Sequence, residues 1–145
     1  MKPTRTMIIL LAVVTVIGIS IGTFTYLHRA VSEQVYAYDC GKIEYKPTSL
    51  TPYCADAGVG VSGIRWERWS AEKATGTGKF GINLCEPTCS AGKWKSADVT
   101  VILTKSVLDK GKRVLTRIDF ETVDGKNLPL SDKPTNGWDL QTKPL

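Results

Sequence analysis

Ala74-Thr75-Gly76-Thr77-Gly78-Lys79-Phe80-Gly81-Ile82-Asn83-Leu84 alternates with a period of two residues, the spacing of a β-strand with one face turned to a core. Ala74, Gly76, Gly78, Phe80, Ile82 and Leu84 share one face, and Thr75, Thr77, Lys79, Gly81 and Asn83 share the other. Three small residues on the inward face require a bulky group to cover them, and a tryptophan from the preceding segment is the expected cover. One strand this regular makes β-structure the first expectation for its neighbours.

The flanking segments meet that expectation. Lys42 to Lys46 alternates apolar and charged residues, and Pro47-Thr48 interrupts it. Ser49 to Ala55 reads as a second strand, with Pro52 placing it at an edge or a bulge. Asp56-Ala57-Gly58 reads as a turn, Val59 to Val61 as a short run, and Gly63 to Ser70 as a further strand. Downstream, Val99, Val101 and Leu103 oppose Thr100, Ile102 and Thr104 along Asp98 to Lys105. A charged turn around Gly111 leads to Arg113 to Val123, where Val114, Ile118 and Phe120 share a face. Asp124-Gly125 closes that strand, and a last short one fits Asn127 to Leu130. Six to seven short strands predict an all-β domain, a small disulfide-stapled sandwich or barrel.

Ahead of this domain stands Met7 to Leu27, 21 residues without a charge. At about 1.5 Å per residue such a helix matches the ~30 Å hydrocarbon core of a bilayer. Lys2 and Arg5 precede it, so the positive-inside tendency keeps residues 1–6 cytoplasmic and sends the remainder outside. The apolar core exceeds the 7–15 residues usual in a cleaved signal peptide, which favours a transmembrane helix or uncleaved signal anchor. The competing reading is cleavage after Ala37, at the triplet Val35-Tyr36-Ala37, releasing a secreted chain that begins at Tyr38. Residues 28–39 read as a polar juxtamembrane connector, with His28 and Arg29 as interfacial anchors. The β-domain is then expected over 40–125, followed by an irregular tail over 126–145.

Export decides the cysteine chemistry. Cys40, Cys54, Cys85 and Cys89 all lie beyond the apolar segment, and an even number in an oxidising compartment predicts two disulfides. Local closure favours Cys40–Cys54 and Cys85–Cys89. A zinc site is disfavoured, because the first pair has thirteen intervening residues and no histidine stands near.

Charge is less informative. Of 19 basic residues, Lys2, Arg5 and Arg29 precede the domain, as does Glu33 of the 14 acidic ones. That leaves 16 against 13, about +3, spread along the chain in a manner that does not predict nucleic-acid binding.

Catalytic constellations are scarce. His28 is the single histidine, so the domain lacks the base of Ser-His-Asp and Cys-His mechanisms. Gly76-Thr77-Gly78 sits inside a strand and cannot serve as a phosphate loop. Asp119 and Glu121 could pair as glycosidase carboxylates, but Arg117 beside them favours a solvated face. No cofactor, metal ligand or catalytic residue is expected. Binding is the better expectation. Trp66 and Trp69 differ by an odd number of positions, which turns Trp69 outward in a regular strand. Trp69, Arg68 and Trp94 are therefore the candidate ligand-binding residues, able to stack on a sugar or anchor a partner.

Trp66-Glu67-Arg68-Trp69-Ser70, Ala74-Thr75-Gly76-Thr77-Gly78 and Cys85-Glu86-Pro87-Thr88-Cys89-Ser90-Ala91-Gly92 together resemble a group of small exported or membrane-anchored actinobacterial proteins. Cys54-Ala55-Asp56 matches a cysteine before an acid in that group, and the resemblance covers residues 40 to 120. It implies export, a β-fold and an actinobacterial source, and brings no activity with it. The chain is thus expected to be a non-enzymatic binding or accessory module of a bacterial cell envelope. Its expected partners are the membrane and an envelope polysaccharide or protein. The alternatives are a structural subunit docked into a membrane complex through its helix, and a histidine-free hydrolase.

Overall fold

The computed structural model describes residues 4–32, 34–55 and 58–142, apart from the side chains of residue 6 and of 27–32. It divides into two units, residues 1–34 and 35–145. The first is one helix, α1 (Arg5–Ser32). Within it Met7–Tyr26 is long and apolar enough to cross a membrane. Every side chain described from Met7 to Tyr26 is exposed, so the helix presents apolar groups all round. Its few hydroxyls are satisfied internally: Thr15 donates to the Leu11 and Ala12 carbonyls, Ser20 to Val16, and Thr25 to Ile21 and Gly22. Such bonds keep hydroxyls from being left unpaired in hydrocarbon. The expected roles of Lys2, and of the His28 and Arg29 side chains, lie outside the described residues, as does most of the Asp56-Ala57-Gly58 turn.

The second unit is a single sheet of eight strands: β1 (Val35–Asp39), β2 (Lys42–Glu44), β3 (Ser49–Leu50), β4 (Val59–Trp69), β5 (Ala74–Asn83), β6 (Trp94–Asp109), β7 (Lys112–Thr122) and β8 (Thr135–Asp139). The order is β2-β1-β7-β6-β5-β4-β3. β7 carries β6 along one edge and two strands along the other: β1 runs parallel beside Arg113 to Leu115, and β8 antiparallel beside Arg117 to Glu121. The long β5, β6 and β7 form the centre, with Val99, Val101 and Leu103 meeting Ile118 and Phe120 in a fully apolar core. Two hairpins turn on a pair of left-handed residues, Cys40-Gly41 and Lys110-Gly111, the conformation that matches the twist of antiparallel strands.

This sheet curls until its two ends meet. β2 and β3, at opposite ends of the order, are not paired with one another. Other groups close the seam. The Cys40–Cys54 disulfide ties the β1–β2 turn to the segment after β3, with Cα atoms 5.3 Å apart. Trp69 Nε1 donates to the Val35 carbonyl and Trp66 Nε1 to the Pro47 carbonyl, each at 2.8 Å. Gln141 links both sides, accepting from Gly41 N through its carbonyl and donating to the Pro52 carbonyl through its side chain. The domain is therefore β-rich and disulfide-stapled as expected, but as one curled sheet closed by side chains and a disulfide, in place of a two-sheet sandwich or a barrel closed by a strand ladder.

Several boundaries move for the same reason. The helix continues to Ser32 and β1 starts at Val35, so the connector expected over 28–39 is largely structured. Val35 and Ala37 are 1% and 0% exposed, which makes the supposed connector a core strand. The tail expected to be irregular from 126 contains β8, held by pairing with β7 and by Trp138 packing on Phe120 at 5.1 Å. Asn127 to Leu130 forms no strand. The runs read separately at 59–61 and 63–70 are one strand, β4.

Candidate functional site

Trp69 does not face outward. β4 and β5 lose register between Trp66 and Arg68: Trp66 opposes Gly76, Arg68 opposes Thr75 and Trp69 opposes Ala74. Glu67 is the extra residue of a bulge, which resets the alternation and places both tryptophans on the inward face. Their rings meet edge to face at 4.9 Å, and Tyr45 and Tyr36 extend the cluster across the seam. Such contacts add to the burial of large apolar area. Trp69 is thus a closure residue, its N–H committed to Val35. The small residues opposite are needed, though for a nearer group than a ring. A Cβ at Gly76 would run into the Arg65 carbonyl oxygen and stand 3.1 Å from the Trp66 Cα.

Arg68 lies exposed on the other face. With Glu67, Ser70, Lys73 and Thr75 it rims a polar hollow at the β4–β5 turn, into which only part of Trp69 reaches. Trp94 stands at the opposite end of the β4–β5 hairpin, opposing Asn83. The three candidate ligand residues therefore do not converge.

Of the two tryptophans, Trp94 is the one that keeps the accessibility a ligand needs. It begins β6 and is 56% exposed. Its six-membered ring covers Gly81, where a Cβ would stand 3.4 Å from Cε3. Beside it opens a groove of about 440 Å³ on the outer face of β3 to β6. The pairing registers fix the groove's layout. Gly60, Gly81 and Ser96 are direct neighbours across β4, β5 and β6; the Trp94 ring lies over Gly81, and the Leu50 carbonyl and Thr51 pack against Gly60. Ser49, Ser62, Lys79 and Asp98 form a second row across β3 to β6, two residues along each strand. Within that row Lys79 Nζ lies 3.1 Å from the Asp98 carboxylate, so the two charges offset one another.

Both disulfides pair as expected. Cys85–Cys89 closes a loop that Asn83 holds from below, its side chain donating to the Cys89 carbonyl and accepting from the Cys85 N–H. That loop adjoins the start of β6, where Leu84 N donates to the Lys93 carbonyl.

Asp119, of the pair Asp119 and Glu121, is held in an ion-paired cluster. Arg117 donates to both Asp119 oxygens at 2.7 to 3.1 Å and reaches Asp139, which also accepts from Lys105 at 3.0 Å. The Lys105 hydrogen bond holds the Asp139 carboxyl below the usual carboxylate range against desolvation, with the Lys105 charge and the Arg117 hydrogen bond and charge adding to it. At the seam the opposite applies. Burial pushes the Asp39 carboxyl up and Glu44 adds to it, with Lys42 opposing. Among the described residues no three His, Cys, Asp or Glu side chains gather where an ion could sit.

Sequence reasoning found Trp94 and missed the groove beside it. Gly60, Ser62 and Ser96 carry no signal individually, because their adjacency arises from register across four strands. Comparison with protein-family models, curated proteins and solved structures finds no match to this chain.

Proposed function

We propose that this chain is a non-enzymatic binding or accessory module of a bacterial cell envelope, held at the outer face of the membrane by α1. The observation that carries the reading is the groove beside Trp94, where a large exposed aromatic adjoins a concave surface bearing the Ser49, Thr51, Ser62 and Ser96 side chains. A concave surface with one aromatic wall and a few hydroxyls is suited to recognition. Asp119, one of the two carboxylates that might have supported hydrolysis, is engaged by Arg117, which favours binding over catalysis.

The buried position of Val35 and Ala37 supports a retained anchor. A cut after Ala37 would divide β1 and remove the carbonyl that accepts the Trp69 N–H. Retention, together with two disulfides on the same side of α1, favours a single-pass protein with its C-terminal domain outside. A second reading, a structural subunit docking through its helix, draws on Gly18 and Gly22, where an added Cβ would meet nothing and a neighbouring helix could approach closely.

Cosedimentation separates the two. The domain from residue 35 onward is expected to pellet with isolated bacterial wall and membrane fragments, and Trp94→Ala to leave it in the supernatant. A domain that never pellets, with the full chain remaining in a larger complex only through residues 1–34, would replace the first reading with the second.

A further inference from the structure

We infer that the β6–β7 hairpin and the adjoining ends of β1 and β2 form a membrane-docking surface, which sets the domain down on an anionic lipid headgroup layer. This rests on α1 spanning a bilayer and adds a second membrane contact, made by the domain itself. Three observations within the domain point to it.

The first is where the chain enters the sheet. α1 ends at Ser32 and β1 begins at Val35, whose partner on β7 is Arg113. β1 runs parallel to β7, so it starts where β7 starts, beside the left-handed Lys110-Gly111 turn. The hairpin tip and the point of entry from the apolar helix therefore share one end of the sheet.

The second is what stands exposed at that end. Leu108 opposes Arg113 and is 74% exposed, and Val107 beside it is 43% exposed. Tyr45, just after β2, is 51% exposed and meets Tyr36 of β1 edge to face at 6.2 Å. So little of Leu108 is covered by the fold that most of its apolar area remains for something else to bury.

The third is charge. Lys46, Lys110, Lys112 and Arg113 surround these groups, and none is ion-paired among the described residues. Lys112 and Lys46 instead hold Nζ over the Tyr36 and Tyr45 rings, 4.9 and 5.4 Å from the centroids. Two acids border the surface: Asp109 accepts the Tyr38 hydroxyl, and Glu44 stands one residue before Tyr45. At the far end of β7, by contrast, Lys79 and Lys126 are matched by Asp98 and Asp124. A bilayer interface takes this combination, with leucine at the acyl boundary, phenol rings at headgroup level and cations on lipid phosphates. A soluble acidic polymer would engage the cations and leave Leu108 in water.

The test uses the full chain reconstituted in vesicles of phosphatidylcholine, with or without phosphatidylglycerol. An environment-sensitive dye is attached through Leu108→Cys, or through Val123→Cys at the other end of β7, where Val123 is 64% exposed. With phosphatidylglycerol present, the dye at 108 is expected to blue-shift and to be quenched by lipid spin-labelled near the headgroup, while the dye at 123 stays in water. Lys110→Gln, Lys112→Gln and Arg113→Gln should each lower the ratio of docked to undocked domain about fivefold at low salt, with an unchanged unfolding midpoint. Raising salt from about 0.05 to 0.5 M should weaken docking likewise. No quenching at 108, equal quenching at 108 and 123, or quenching that survives all three substitutions unaltered would overturn the inference. So would a dye at 108 that shifts only when a membrane-protein extract is added, the mark of a protein partner. Flotation of the same vesicles scores the anchor separately. A chain that floats without quenching at 108 sinks this inference alone, and a chain that does not float sinks the α1 reading and this one with it.

Discussion

Trp69 on β4 donates its indole N–H to the carbonyl oxygen of Val35 on β1 at 2.8 Å, joining strands that β5, β6 and β7 separate in the sheet. The bulge at Glu67 turns Trp69 inward, and this bond then helps close the curled sheet against the strand that carries residue 35. Trp69→Phe keeps most of the apolar area but leaves the Val35 carbonyl without its partner. It is expected to lower stability by about 1–3 kcal/mol in chemical denaturation, without changing ligand binding. Unchanged stability would mean that closure does not depend on the indole.

The same bond makes a prediction about processing. N-terminal sequencing of the protein recovered from membranes should find a start upstream of Val35. A chain beginning at Tyr38 lacks the buried Val35 and Ala37, and should lose at least ~3 kcal/mol relative to one beginning at Val35. Recovery of a stably folded protein starting at Tyr38 would contradict this.

The two disulfides should differ in weight. Cys40 and Cys54 are 14 apart in sequence and Cys85 and Cys89 are 4 apart. Loop-closure entropy assigns roughly 3 kcal/mol to the first and about 2 kcal/mol to the second. Because the first also spans the seam, replacing its cysteines with serine is expected to expose the Trp66 and Trp69 cluster and red-shift its emission. Replacing Cys85 and Cys89 should leave that emission in place.

Alkaline pH should reveal the contact between β1 and the end of β6. Tyr38 donates its hydroxyl to the Asp109 carboxylate at 2.6 Å. That hydrogen bond, then burial and the carboxylate's charge, pushes the phenol from its ordinary value near 10 up to about 12. The folded state therefore holds the proton more tightly than the unfolded state. The stabilisation is fully present below about pH 10 and is lost as pH rises through about 12. A stability-against-pH series should show that loss, and Tyr38→Phe should flatten it; an unaltered alkaline limb in the variant would refute the assignment.

Close approach at Gly76 is testable in the same way. Gly76→Ala drives a methyl group into the Arg65 carbonyl, on a backbone held by pairing on both sides. A loss of about 1–3 kcal/mol is expected from overpacking, measurable by thermal denaturation. Gly111→Asn, at a left-handed turn position open to solvent, should cost far less.

Much of this domain was legible in the order of its residues. The alternation of 74–84, 99–104 and 114–122 pointed to three central strands and to most of their core side chains, because a pleated strand sends successive side chains to opposite faces. It missed the buried Leu115 and placed Leu84 in a core it does not join. The short cysteine spacings favoured the two disulfides that form, Cys40–Cys54 and Cys85–Cys89. The length and apolarity of Met7 to Tyr26 determined that α1 could cross a membrane. Parity failed at Trp69, since the bulge at Glu67 depends on how β4 lies against β5 and leaves no period of its own in the sequence. The fate of Val35 to Ala37 was likewise invisible, because their partners, Arg113 to Leu115, lie far along the chain. The Trp94 groove shows the same division. A tryptophan between two lysines could be named from sequence, but the groove beside it exists only where residues of β3 to β6 come into register, and register is decided by packing across the whole sheet.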